Sequence, residues 1–271
     1  MSALSMWSCH YRRFAVTMMA MLLCIPAIAA AADPDAGVVN NENITTSSPF
    51  STHRANYLVL GPEHSPYVGN VTSKFQLSLK YDTGANWFFA YTQRSYWDID
   101  SDSSPAVDHN FEPEMFYRWQ PKFKSAAHSG LEFVHLGIVH QSNGRSGAES
   151  RAWNRAYAEP RFRWDGWFFE PKVWVITSTE DQNRDIADYA GYADVVVGYE
   201  TTTRQRFTLT GRQGSQHGSV QFDVSMPLSS LFPKKRMRPY LYFQAWAGYG
   251  ETLLYYNQRT TAYRFGIEFH P

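Results

Sequence analysis

One stretch of this chain is dense in groups that can do acid–base and nucleophilic chemistry: HQSNGRSGAESRAWNR, from His140 to Arg155. His140 and Ser142 are two residues apart, so on a β-strand they share a face. There an imidazole can take a hydroxyl proton. A hairpin centred near Gly147 sets Asn154 opposite His140, because both lie equally far from the centre. Directly opposed side chains have Cβ atoms about 5 Å apart. The Asn154 carbonyl oxygen can accept the Nδ1 proton of His140 and fix its tautomer. Ser142, His140 and Asn154 would then be nucleophile, base and orienting group, with an amide where hydrolases usually hold a carboxylate. By spacing alone a His-x-Ser pair on a strand is commonplace. No G-x-S-x-G, H-E-x-x-H, P-loop or Cys/His cluster competes with it elsewhere in the sequence.

The elements that must position these residues are strands. From His53 onward the chain breaks into about twelve short segments with period-two alternation: 53–60, 72–82, 85–98, 110–120, 129–142, 151–164, 167–177, 189–200, 204–212, 217–227, 237–248 and 260–269. In the last, Thr261, Tyr263, Phe265, Ile267 and Phe269 oppose Thr260, Ala262, Arg264, Gly266 and Glu268. Links at 83–84, 165–166 and 201–203 are short, and those at 99–109, 143–150, 178–188 and 249–259 are long. That is the asymmetry of an outer-membrane barrel, with short inner turns and long outer loops; the links 121–128 and 228–236 are longer than the rule requires. The fold expected is all-β, an antiparallel transmembrane β-barrel of about 12 strands. A soluble β-sandwich has the same periodicity, with its apolar face as core.

The face carrying His140 also carries Val134, Leu136 and Ile138, and the face carrying Asn154 carries Ala152, Ala156 and Ala158. The candidate triad therefore lies on the apolar face, which in a membrane barrel meets lipid. Polar groups there are costly unless partnered or functional. The opposite face, with Arg151, Arg155, Glu159, Arg161, Glu170 and Lys172, suits an interior braced by ion pairs or a small channel. His135 is expected to hydrogen-bond inside.

Composition agrees. Aromatic residues make up 16% of the 271, charged residues only 18%, and mean hydropathy is −0.43. An aromatic-rich chain of polar average hydropathy is what a barrel with one lipid-facing side requires. The 25 basic and 25 acidic residues cancel, which removes an electrostatic case for nucleic acid. Arg12 and Arg13, an apolar run from Phe14 to Ile28 and the alanines at 29–32 read as a signal peptide over 1–32. Residues 33–52 read as a flexible lead-in, and the barrel domain as 53–271. Both cysteines, Cys9 and Cys24, fall in the leader, so no disulfide is expected in the exported chain. Lys234–Arg236 reads as a solvated turn. The terminus Phe269-His270-Pro271 is unusual for a barrel that would commonly end on an aromatic.

At these residues the sequence resembles the outer membrane phospholipase A (detergent-resistant phospholipase A) family. The likeness rests on His-x-Ser-Asn-Gly-Arg at 140–145 and Ser-Arg-x-Trp-Asn-Arg at 150–155. It extends through KFQLSL at 74–79, YTQRSYW at 91–97, SSP and NFEP within 103–113, and GYGE at 248–251. The resemblance implies a twelve-stranded enzyme hydrolysing phospholipid acyl esters, with A1, A2 and lysophospholipase activity, dependent on calcium and active as a homodimer. It implies Ser142 as nucleophile, His140 as base, Asn154 as orienter and the Gly144 N–H as oxyanion donor. It also implies a calcium ligand set of Ser103, the carbonyls of Arg145 and Ser150, and an acidic residue of the 178–188 loop, Asp181 in preference to Glu180, in a loop one residue longer than the family pattern. Gln93 is implied at the dimer contact. The rival reading is a non-catalytic barrel, either a small channel or an anchor.

Overall fold

The computed structural model describes residues 48–121, 130–228 and 239–269. The expected leader, residues 33–47, the Lys234–Arg236 turn and the last two residues lie outside them. A two-residue strand, β1 (Phe50–Ser51), precedes twelve longer ones: β2 (Asn56–His64), β3 (Val71–Asp82), β4 (Trp87–Asp98), β5 (Ala106–Trp119), β6 (Gly130–Ser142), β7 (Ala152–Trp164), β8 (Trp167–Thr179), β9 (Ala193–Glu200), β10 (Arg206–Gln213), β11 (Gly218–Pro227), β12 (Pro239–Gly248) and β13 (Thr260–Phe269). Each of the twelve pairs antiparallel with its sequence neighbours, and β13 pairs back onto β2, so the sheet closes. Closure removes the free edges that lipid could not satisfy.

The N-terminal boundary and several strand starts differ from expectation, and β5 begins at Ala106, four residues before the expected 110. Residues 50–51 pair with Lys80 and Tyr81 of β3, so the lead-in already joins the sheet. The first barrel strand runs 56–64, not 53–60, because His53 turns inward and bonds Glu114 at 2.7 Å. Tyr189 belongs to a short helix, α1 (Ile186–Ala190), not to β9. Its apolar neighbours Ile186 and Ala190 are buried against the barrel mouth, a helical spacing that mimicked the start of a strand.

The wall faces alternate as the pattern demands. On β6, Leu136 and Ile138 are 48% and 56% exposed, while His135, Val139 and Gln141 are buried. His135 accepts a hydrogen bond from Arg118 Nε at 3.0 Å, inside the barrel. At the end of the wall away from the 143–151 loop, Trp87, Trp119, Trp164 and Trp167 stand exposed as a band.

The interior is occupied. Near one end Arg264, fully buried, bonds Glu63 at 2.5 Å and Glu251 at 2.6 Å, and Lys74 bonds Glu251 at 3.1 Å and Gln244 at 3.0 Å. Tyr96 donates to the Glu251 carbonyl at 2.6 Å, so the 249–259 loop is drawn into the mouth. Deeper in, Glu114 takes His53, Tyr157 and Arg54, with Lys172 between it and Glu159. Phe88, Phe116, Trp153, Trp174 and Leu253 fill the space between these networks. The inward charges thus brace a packed lumen.

Candidate active site

The β6–β7 hairpin has the expected register. His140 faces Asn154, Ser142 faces Ala152, and Gln141 faces Trp153. His140 Nδ1 and Asn154 Oδ1 are 2.8 Å apart. Since the Asn oxygen can only accept, this contact assigns the proton to Nδ1 and leaves the Nε2 lone pair free. Ser142, on the same outward face, makes no side-chain hydrogen bond among the described residues. On its other side it faces Phe111 of β5, and Phe111 faces Gln93 of β4. Gln93, Phe111 and Ser142 therefore form one lateral row.

The inward neighbours hold this row from behind. Gln141 Oε1 accepts Trp153 Nε1 at 2.8 Å and Arg155 Nη2 at 3.1 Å. Trp153 and Arg155 flank Asn154 in sequence, so both sides of the hairpin are anchored in the core. Asn154 has a further partner absent from the sequence reading: its Nδ2 donates to Ser178 Oγ of β8 at 2.6 Å.

The loop 143–151 is organised by Asn143, a buried side chain that sequence reasoning passed over. Its Oδ1 accepts the N–H of Arg145 at 3.3 Å and of Arg151 at 3.0 Å, and its Nδ2 donates to the Glu149 carbonyl at 2.8 Å. An Asn beside a Gly at a strand end was the available signal. Gly144 has φ +68°, and a Cβ there would stand 2.9 Å from the Phe111 ring. Only glycine fits both demands. Its N–H makes no hydrogen bond among the described residues, and the residue is exposed.

The four residues expected to hold a cation are distributed over three loops. Arg145 turns its guanidinium away, to Glu149 at 2.6 Å and the Val107 carbonyl at 2.9 Å, and its own carbonyl accepts no hydrogen bond among the described residues. The Ser150 carbonyl accepts Arg151 Nη1 at 2.8 Å, which also bonds the Ala148 carbonyl at 2.9 Å. Asp181 is exposed and engages Arg184 at 2.5 Å. Its turn is tied to the hairpin by Asn183, which bonds the backbone of Ala152 at 3.1 and 3.3 Å. Ser103, with φ +66°, lies exposed on the 99–105 loop and bonds none of the other three. Among the described residues no cluster of three His, Cys, Asp or Glu forms. Oxygen donors that include carbonyls suit a hard cation. Of the expected donors, the Ser150 carbonyl is already engaged by a cationic group, the Arg151 guanidinium.

A closed twelve-stranded barrel whose lipid-facing wall carries an oriented histidine beside a serine belongs to the class of outer-membrane enzymes that act on lipid. The sequence model of the Phospholipase A1 family matches residues 38–269. The Phospholipase A1 of Klebsiella pneumoniae is 33% identical over 208 residues, covering 72% of this chain and 68% of that one. The Phospholipase A1 of Escherichia coli K12 is 32% identical over 206 residues, with the same coverage. The solved outer membrane phospholipase A of Escherichia coli superposes with a TM-score of 0.72 at 27% identity, covering 82% of this chain and 94% of that one. The Salmonella typhi outer membrane phospholipase, solved as a dimer with bound calcium, gives 0.72 at 26% identity, covering 89% and 98%. The chain belongs to the Phospholipase A1 family and is an outer-membrane phospholipase.

Proposed function

We propose that this phospholipase cleaves phospholipid acyl esters through Ser142, His140 and Asn154, with calcium, as a homodimer. The observation that carries the reading is the 2.8 Å contact between His140 Nδ1 and Asn154 Oδ1 on a lipid-facing wall. Ser142 Oγ attacks the ester carbonyl while His140 Nε2 takes its proton. The imidazolium so formed is stabilised by Asn154 Oδ1, and the Gly144 N–H donates to the oxyanion. On collapse, His140 returns the proton to the departing glycerol oxygen, and a water then releases the acyl group by the same route.

The carbonyls of Arg145 and Ser150, the Ser103 hydroxyl and Asp181 would hold a calcium ion, which would supply positive charge to offset the developing oxyanion. Two of these oxygens now accept from cations, the Ser150 carbonyl from Arg151 and Asp181 from Arg184, and would have to be released to a bound ion. A relative solved as a dimer with calcium, and an Escherichia coli relative solved as an asparagine-to-alanine active-site mutant, support this reading. So does the lateral row: Gln93 lies two strands from Ser142, about 10 Å away, so a partner seated on Gln93 borders the nucleophile. The reading has the site toward the outer leaflet, with the long loops outside, in keeping with the short inner turns and long outer loops of such barrels.

The test is fatty-acid release from mixed phospholipid micelles by the refolded protein, with calcium and with a chelator, beside Ser142→Ala. Calcium-dependent release lost in Ser142→Ala is expected. A folded barrel that releases nothing at any calcium level, yet conducts ions, would favour the non-catalytic reading.

A further inference from the structure

Ser178 stands where regular pairing alone would not have put it. In β8, Ile176 faces Arg155 and Ser178 faces Asn154, so one extra residue, Thr177, bulges out of the ladder between them. The bulge shifts the strand by one residue and turns Ser178, not Thr177, to the outward face beside Asn154. The resulting bond, Asn154 Nδ2 to Ser178 Oγ at 2.6 Å, lies at the far end of the same amide whose oxygen meets His140.

We infer that Ser178 is a positioning residue that acts on His140 through Asn154; the inference rests on the triad reading above. A carboxamide has two unlike ends of nearly the same shape. With Oδ1 toward His140 the Nδ1 proton is held and Nε2 is a base. With Nδ2 toward His140 the proton moves to Nε2, and the imidazole cannot accept from Ser142. Once His140 is protonated both its nitrogens donate, and only Oδ1 can face it. Ser178 then accepts from Nδ2, keeps the amide in plane, and draws electron density toward Oδ1 along the hydrogen-bond chain. This matters most when the imidazolium is present, so the loss on removing the hydroxyl falls on kcat and not on KM.

The test is kinetics in mixed micelles on Ser178→Ala, Ser178→Thr, Asn154→Ala and the double variant Asn154→Ala/Ser178→Ala, each checked for the folded barrel by heat-modifiable gel migration. Ser178→Ala is expected to lower kcat roughly five- to thirty-fold at constant KM, as for about 1–2 kcal/mol lost from a hydrogen bond one link removed from the charged imidazolium. Ser178→Thr is expected to restore it to within about threefold, because the hydroxyl is kept. In the Asn154→Ala background, removing Ser178 is expected to change nothing further. Wild-type kcat in Ser178→Ala, or losses that multiply in the double variant, would overturn the positioning role and leave the triad standing. A parent that hydrolyses no ester, or an active Ser142→Ala, would instead overturn the triad reading itself.

Discussion

Replacing Asn154 by alanine removes one contact whose worth the geometry sets. The 2.8 Å bond from His140 Nδ1 is neutral before proton transfer and charge-assisted after it. A bond to a charged group contributes about 1.5–3 kcal/mol, so kcat is expected to fall by roughly 10- to 150-fold. The bond is made to the enzyme and not to the lipid, so KM should hold. The loss should be smaller than for Ser142→Ala, because His140 is still held in its strand and still samples the productive tautomer. Initial rates on a chromogenic short-chain ester in micelles, across a range of substrate concentrations, give both constants. A kcat within twofold of the parent would refute the reasoning, since His140 would then owe its tautomer to something else. A loss as deep as that of Ser142→Ala, in a barrel that is still folded, would refute it too.

Asp181 and Arg184 neutralise each other on an exposed turn, and such pairs are worth no more than about 1 kcal/mol. Arg184→Ala is therefore expected to lower the half-activating calcium concentration by at most about fivefold, and Asp181→Asn to raise it by about tenfold or more, read by calcium titration of activity. Gly144→Ala combines a left-handed backbone with a clash 2.9 Å from the Phe111 ring, and should cut kcat at least about tenfold without changing gel migration. Glu251→Ala leaves Lys74 without a carboxylate partner in the interior and Arg264 with Glu63 alone, and breaking a buried ion network costs up to about 3–5 kcal/mol. Its urea midpoint should fall clearly below the parent's, while an unchanged midpoint would mean that the network is not a brace.

What the sequence made legible was what alternation and a single turn dictate. A hairpin centred on Gly147 predicted the pairing of His140 with Asn154, and a period of two predicted which face they share. Ser178 was not legible, because a bulge changes the parity of a strand without any mark in the residue pattern. Asn143 and Asn183 were missed because their roles are to satisfy loop backbone, which depends on how the loops fold and not on period. The capture of Glu251 by Lys74 and Arg264 joins a loop residue to two separate strands, and each alone reads as an ordinary charge. Tyr189 was misassigned because an apolar cluster over five residues fits a helical turn as well as a strand.

The band of Trp87, Trp119, Trp164 and Trp167 also works as a depth gauge. Exposed tryptophans on a barrel wall settle at the level of lipid head groups. From Trp164 up β7 to Asn154 is ten residues, about 33 Å along the strand and about 25 Å along the membrane normal at the usual tilt. That rise is one hydrocarbon thickness of an outer-membrane barrel. With the tryptophans moored at one water boundary, Asn154, His140 and Ser142 come level with the other. Glycerol esters lie at that boundary, so an ester comes level with these residues without the lipid rising out of its leaflet.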